Sequence, residues 1–458
     1  MFWVLIWHIL SRLINKEILL ASPLSVAKKL LYNMQHKFFW TTILFSLSRI
    51  SLGFSLGAVL GSLLALLSSR WPLVKDLLEP LLSTIKSTPV ASFIILLLIW
   101  MPSKNLSVAI SFLMVLPILY TSVLAGIENT DQKLIEMAQV FRLSKVKTIR
   151  FIYLPEIYPY FHSAASVALG LAWKSGIAAE VIGNPRGSIG AGLYEAKIYL
   201  VTDELFAWTL VTILLSVLLE KIVLKILDRV MNRLRQVAKE RGKENIEEAT
   251  KRATRKVSRK MTKDIIIDEV TIKYGDTIVI EKMHALIPTG SRIALIGKSG
   301  RGKTSLIKAL MGLIPYEGHI HNLEGIKIAP VFQEDRLIQD MTLYGNIAIC
   351  TSADRATIEA HMAELSLKED QHKKANELSG GMRRRAAMIR AVLAESDLLI
   401  LDEPFKGLDE KMKQTSMDYI KKHQNGRTLL LVTHEKEELD YMACQPTIRL
   451  EEELEKRK

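Results

Sequence analysis

The chain has 458 residues, too many for one core and enough for two or three domains, with a formal net charge of +13 and two cysteines, Cys350 and Cys444. Two thiols without CxxC spacing exclude a disulfide framework and a zinc knuckle, and they suit a reducing cytosol. The basic balance would fit nucleic acid, but it gathers beside apolar runs and in residues 239–263, where positive-inside topology accounts for it; no nucleic-acid partner is expected.

The halves differ in kind. Long apolar runs dominate up to about Leu227, so the mean hydropathy of +0.18 averages a membrane part and a soluble part. Residues 2–20 lack a basic leader and contain His8, Arg12 and Lys16, which suits a first membrane helix better than a signal peptide. Further spans are predicted at 41–67, 89–101 extended backward, 106–125, 161–181 and 205–226. Six helices return the chain to its starting side. Arg70, Lys75 and Lys86, residues 133–150 and residues 221–235 place basic charge on that side and make it cytosolic, whereas Lys28, Lys29 and Lys37 run against the rule. Gly53, Gly57 and Gly61 recur every four residues and form a stripe for close helix packing. On the fifth span, Lys174 shares a three- and four-residue repeat with Ser163, Ser166, Gly170 and Ala178. An ammonium there must face something polar, and a translocation path is one such surrounding.

The loop after the fourth span carries Glu136-Met137-Ala138, then Arg142, then Ile152-Tyr153-Leu154-Pro155. It resembles the cytoplasmic coupling (EAA) loop of ABC importer permeases, with Met137 in place of the middle alanine and Arg142 in place of the glycine that ends the first short helix with positive φ. The resemblance gives Glu136, Ala138 and Arg142 coupling roles in a loop spanning 128–160. Residues 179–183, with Pro185-Arg186-Gly187 and Gly190, resemble permeases of the nitrate/sulfonate/taurine type over roughly the whole first half. Residues 238–263 are too polar to span a membrane and too basic to build a core, which makes them a partly helical linker.

In the soluble half, Gly297-Lys298-Ser299-Gly300-Arg301-Gly302-Lys303-Thr304-Ser305 follows the apolar run 293–296 and opens a helical stretch. Strand, glycine loop and helix make a phosphate cradle: backbone N–H groups curl around the anion, Lys303 reaches the terminal phosphates, and the Thr304 hydroxyl can ligate Mg²⁺. Upstream, the Tyr274 ring can stack on adenine. Gln333 can bind Mg²⁺ or the attacking water. Ser379, Gly380 and Gly381 open a second helix and present another anion site. The apolar run 398–401 ends in two carboxylates with separable roles, Asp402 for the metal and Glu403 for polarising water. Residues 429–432 deliver His434 to a strand end, within reach of a γ-phosphate.

In this order the motifs resemble ABC ATPases across the soluble half, with Met382, Gly407 and the run Arg383-Arg384-Arg385 as departures. The resemblance implies a six-span α-helical transmembrane domain (1–237), the linker, and an α/β P-loop ATPase domain (264–458). It implies ATP and Mg²⁺ as cofactors, the cytoplasmic membrane as location, a second copy of the chain as partner, and a separate extracytoplasmic substrate-binding protein. An exporter half-transporter and a membrane-tethered regulatory ATPase are the alternatives.

Overall fold

The computed structural model describes residues 2–244, 263–298 and 300–450, so Ser299 and most of the 238–263 linker lie outside the described residues. The chain divides into two compact units, Met1–Thr130 with Tyr153–Arg233, and Asp131–Ile152 with Leu234–Lys458.

The first unit is helical. Helices α1 (Phe2–Ile14), α2 (Pro23–Met34) and α3 (Lys37–Arg70) are followed by α4 (Pro72–Ser87), α5 (Val90–Trp100) and α6 (Leu106–Glu128). The chain then contributes α7 (Gln132–Val140) and α8 (Lys145–Thr148) to the other unit. It returns as α9 (Leu154–Gly183), α10 (Ile189–Ile198) and α11 (Thr202–Glu244). Among the described residues, Lys37–Arg70, Ser103–Glu128 and Lys145–Gly183 are long and apolar enough to cross a membrane. Six spans are expected, but among the described residues only these three helices qualify, or four if the bent pair α4–α5 counts as one span. At a rise of about 1.5 Å per residue, the 13 residues of α1 reach only about 20 Å, short of a bilayer core. The third span is not one rod but α4 and α5, bent by 105° where Thr88 adopts extended backbone before Pro89. The run 205–226 lies inside α11.

The glycine stripe of α3 packs against α6. A Cβ on Gly53 would stand 2.4 Å from the Val108 carbonyl oxygen, and one on Gly61 would stand 2.8 Å from that of Leu116. Contact this close lets the two backbones touch, which is the packing expected of small residues spaced by four. Helix α9 completes the centre, burying Ala165, Ala168, Ala172 and Trp173 against α3 and α6. The carboxylate of Glu180, fully buried, accepts from the Ser46 hydroxyl at 2.7 Å and the Gly190 N–H at 3.2 Å, fixing the turn from α9 into α10.

The second unit holds two sheets. Strands β1 (Ile265–Tyr274), β2 (Thr277–Ile287) and, later in the chain, β4 (Glu317–His321) pair antiparallel in the order β2-β1-β4. Strands β3 (Arg292–Ile296), β5 (Ile328–Val331), β6 (Leu398–Asp402), β7 (Thr428–Val432) and β8 (Thr447–Arg449) form a parallel sheet in the order β5-β6-β7-β3-β8. Every residue of β6 and β7 is buried, the pattern of strands covered on both faces. Covering helices are α12 (Lys303–Leu310), α13 (Leu343–Ala348), α14 (Arg355–Glu364), α15 (Gly380–Leu393), α16 (Glu410–His423) and α17 (Lys436–Met442).

The α3–α6 contact generates a contrast. Gly53→Ala is expected to cost about 1–3 kcal/mol through forced backbone separation, whereas Gly170→Ala, with nothing within 4 Å of its added methyl, should be neutral. Thermal unfolding of the detergent-extracted protein checks this: equal midpoints for the two variants would contradict the packing.

Candidate functional site

The carboxyl ends of β3, β6 and β7 converge because parallel pairing aligns them: Leu401 opposes Leu431 and Asp402 opposes Val432, while Leu295 also opposes Val432. Each strand therefore delivers its following loop to one edge of the sheet, where open α/β sheets bind ligands.

From β3 comes the glycine loop expected to cradle phosphate. Gly300 and Gly302 have φ of +80° and +88°, which L side chains rarely adopt, and Gly302 also packs tightly against Val279 and Ile280 of β2. Lys303, buried at the first residue of α12, donates to the Gly297 and Lys298 carbonyls, the latter at 3.0 Å, so its amine is held centrally within its own loop. Arg301 and Thr304 are exposed beside it, and Ser305 is buried. Tyr274, half-exposed, ends β1 opposite Thr277 in the same hairpin that supports Gly302.

From β6 come the two carboxylates, and their surroundings separate them. Burial, then the charge of Glu403, pushes the Asp402 carboxyl up to about 6, while Arg384, Lys303 and Arg336 pull the other way. Glu403 is held below the usual carboxylate range, first by its hydrogen bond from Lys406 (2.8 Å). The Glu403 backbone has φ +47°, and its N–H donates to the Val432 carbonyl at 2.9 Å. Gln333 Nε2 lies 3.5 Å from Glu403 Oε2, and His434 Nε2 lies 3.5 Å from Glu403 Oε1. A loop glutamine and a strand-end histidine thus meet around the Glu403 carboxylate. Such a group can orient a water, with Glu403 as acceptor and the amide and imidazole beside it.

The oxygens of Thr304, Gln333 and Asp402 make a hard donor set that fits a small divalent cation such as Mg²⁺, and Asp402 lies close enough to feel the Lys303 charge. Ser379, Gly380 and Gly381, the residues expected to form a second anion site, open α15. Ser379 Oγ accepts from Met382 N at 3.3 Å and caps α15, whose first residues are open to solvent. Gly407, where alanine would be commoner, has φ +78° at the turn before Asp409, which in turn caps α16.

The loop carrying Glu136 packs within this unit. Leu134, Met137, Ala138 and Ile152 are buried against Phe332, Ile338 and Ile349. Glu136 pairs with Arg336 at 2.7 Å, Lys133 with Glu334 at 2.6 Å, and Gln139 donates to the Gly312 carbonyl at 3.3 Å. Arg142 takes φ +51° despite not being glycine, at a cost of about 1 kcal/mol. Helix-ending bonds to Gln139 O and Ala138 O and a 2.8 Å bond from its guanidinium to Ile326 O offset that cost.

Lys174 is exposed on α9 with Ser163, beside open space at Gly170. The expected single face is divided, since Ser166 turns to Glu220 of α11. Lys406, Lys413 and Arg390 carry no motif in the sequence, and Arg384 shows there only as part of the run Arg383-Arg384-Arg385. Lys413 on α16 binds Glu435 and, at 3.1 Å, Glu438, whose partner Thr433 precedes His434.

Comparison with known proteins follows the same division. Residues 57–236 match the model for a binding-protein-dependent transport system inner membrane component, and residues 280–406 match the ABC transporter model. An aliphatic sulfonates import ATP-binding protein of Paraburkholderia xenovorans is 38% identical over 173 residues, covering 36% of this chain and 68% of that one. A thiamine import ATP-binding protein of Haemophilus influenzae is 33% identical over 172 residues, covering 33% and 80%. A sulfate/thiosulfate import ATP-binding protein of Mesostigma viride is 32% identical, with 38% of this chain and 56% of that protein covered.

Replacing Glu403 by Gln keeps the shape and removes the charge that orients water, so ATP binding is expected to persist while turnover falls at least a hundredfold. Lys303→Ala should instead weaken nucleotide binding itself, because it deletes the central cation of the cradle. Equilibrium nucleotide binding and phosphate release on both variants check the pair; near-normal turnover in the first would remove Glu403 from that role.

Proposed function

This chain belongs to the ABC transporter family, with an import-type permease domain and an ATPase domain in one polypeptide, and we propose that two copies together import a small solute handed over by a separate substrate-binding protein. Within this reading residues 1–237 are the permease domain and 264–458 the ATPase domain, lying on the cytosolic side of the cytoplasmic membrane.

The observation that carries the reading is the bond from Glu136 to Arg336, three residues beyond Gln333. A loop rising from the permease sequence is thereby tied to the loop whose amide borders the catalytic carboxylate. A displacement of either can be felt by the other, which is what coupling requires. A membrane tether alone gives this contact no task, and the match of residues 57–236 to a binding-protein-dependent permease component favours import over export.

Hydrolysis is assigned to Glu403 as the group polarising water, with Gln333 and His434 placing water and γ-phosphate. The cradle of residues 297–305 and Tyr274 hold ATP, and Ser379, Gly380 and Gly381 of the second copy close over it. Thr304, Asp402 and Gln333 would hold Mg²⁺, which supplies charge neutralisation at the phosphates when bound. Closure of the two ATPase domains then switches access across the membrane through Glu136, Ala138 and Arg142.

Two of the three relatives are named for sulfonate and sulfate/thiosulfate import and the third for thiamine import; of these solute classes a small oxyanion is favoured as cargo. Lys174 supplies a cation that suits it, being exposed and set in an apolar helix where a charge facing lipid would be costly.

Native mass spectrometry of the detergent-extracted protein should give twice 51.7 kDa; obligatory pairing with a different ATPase chain would refute the homodimer. Glu136→Arg, which sets two guanidinium groups against each other, is expected to leave the fold intact and reduce stimulation by the binding protein to about the basal rate. In proteoliposomes, Lys174→Met should abolish uptake with dimer formation intact. Uptake at unchanged affinity would show that this lysine does not meet cargo.

A further inference from the structure

The Gln333 loop is secured by a device that its own sequence does not contain. Residues 332–336 have little regular structure, and their backbone carbonyls need partners if the loop is to hold one shape. Two arginines of α15 supply them. Arg384 donates through Nη1 to the Phe332 carbonyl at 2.6 Å and through Nη2 to the Gln333 carbonyl at 2.5 Å. Its guanidinium also faces the Asp335 carboxylate at 3.2 Å. Arg390 donates through Nη2 to the Asp335 carbonyl at 2.9 Å and through Nη1 to the Arg336 carbonyl at 2.8 Å. Four of five consecutive carbonyls are thus bound by one helix, and both arginines are buried, at 7% and 0% exposure.

The opposite side of the loop is held just as specifically. Arg336 lies 3.9 Å from the Phe332 ring centre and reaches Glu136, while Glu334 reaches Lys133. The backbone therefore belongs to α15 and the side chains to the 131–152 segment. Gln333 itself is left to project toward Glu403.

We propose that Arg384 is a positioning residue for ATP hydrolysis: with Arg390 it clamps the 332–336 loop to the helix that begins at Ser379, so that Gln333 and the Glu136 contact move with that helix. The proposal rests on the assignment of Gln333 to the hydrolytic site. A planar fork is needed because two carbonyls at adjacent residues must be bound by one side chain, which an ammonium cannot do with the same rigidity. Once ordered by the clamp, the loop converts a shift of α15 into a shift of the glutamine amide without an intervening flexible joint. The structural alternative, that Arg384 merely fills the core, makes no link to Gln333.

The test uses the full-length protein in nanodiscs with four variants: Arg384→Gln, Arg384→Lys, Gln333→Ala and the double variant Arg384→Gln/Gln333→Ala. Amide hydrogen exchange of the nucleotide-free protein reads the order of the loop, because the clamp binds carbonyls and acts on exchange by holding the loop closed over the bonded Ile338 N–H; exchange in a peptide spanning 332–338 is expected to rise several-fold in Arg384→Gln with β6 and β7 unchanged. Turnover should fall about tenfold with the KM for ATP within twofold. The double variant should be no slower than Gln333→Ala alone, because Arg384 acts through that residue. If Arg384→Gln does not fold, Arg384→Lys, which keeps charge but not the fork, is read the same way. Unchanged exchange in the loop, or losses that multiply in the double variant, would overturn the proposal. Normal turnover of Gln333→Ala would remove that glutamine from the hydrolytic site and the proposal with it, whereas normal turnover of Arg384→Gln beside an impaired Gln333→Ala would overturn the proposal alone.

Discussion

Two adjacent carboxylates close the buried strand β6 at the carboxyl edge of the five-stranded sheet, and the segments around them supply opposing charge. Asp402 ends a fully buried strand, and its carboxyl is pushed up to about 6 by the cost of burial beside a second carboxylate. Such a pair is tolerated only where cations oppose it. Lys303, Arg384 and Arg336 are the cations, and each comes from a different element: the cradle, the helix opened by Ser379, and the loop of Gln333. Three segments far apart in the chain thus bring cations to one strand end.

That arrangement also explains why basic residues crowd α15. Arg384 and Arg390 bind loop carbonyls, and Arg385 donates to the Leu365 and Gly381 carbonyls. A triple arginine that reads as a surface charge run is thus largely consumed inside the fold. Arg142 presents the same lesson at the 131–152 segment. Its left-handed backbone is one that glycine would adopt more cheaply, and the side chain that glycine lacks reaches the Ile326 carbonyl.

In the membrane-type unit, the dominant constraint is contact distance rather than charge. The α3 glycines allow backbone contact with α6, and one carboxylate oxygen of the buried Glu180 is held by Ser46 and the start of α10 rather than by the lysine on its own helix. Lys174 remains exposed on α9. These two charges, six residues apart, are assigned to different surroundings by the helical turn alone.

The sequence by itself determined what depends on local backbone chemistry. Glycines at 300 and 302, a lysine and hydroxyl at a helix start, a serine cap at 379 and carboxylates closing an apolar run are legible because each works through neighbours a few residues away. The division into an apolar helical half and an α/β half was legible from composition for the same reason. Tertiary structure alone decided what depends on residues far apart in the chain. The meeting of Gln333, Glu403 and His434, the arginine clamp across some fifty residues of chain, and the Glu136–Arg336 bond across 200 are examples. The bend of 105° between α4 and α5 belongs with them, since hydropathy measures apolar length and says nothing about direction. Long-range partners leave no periodic mark, because an arginine that binds a distant carbonyl has the same sequence appearance as one that faces water.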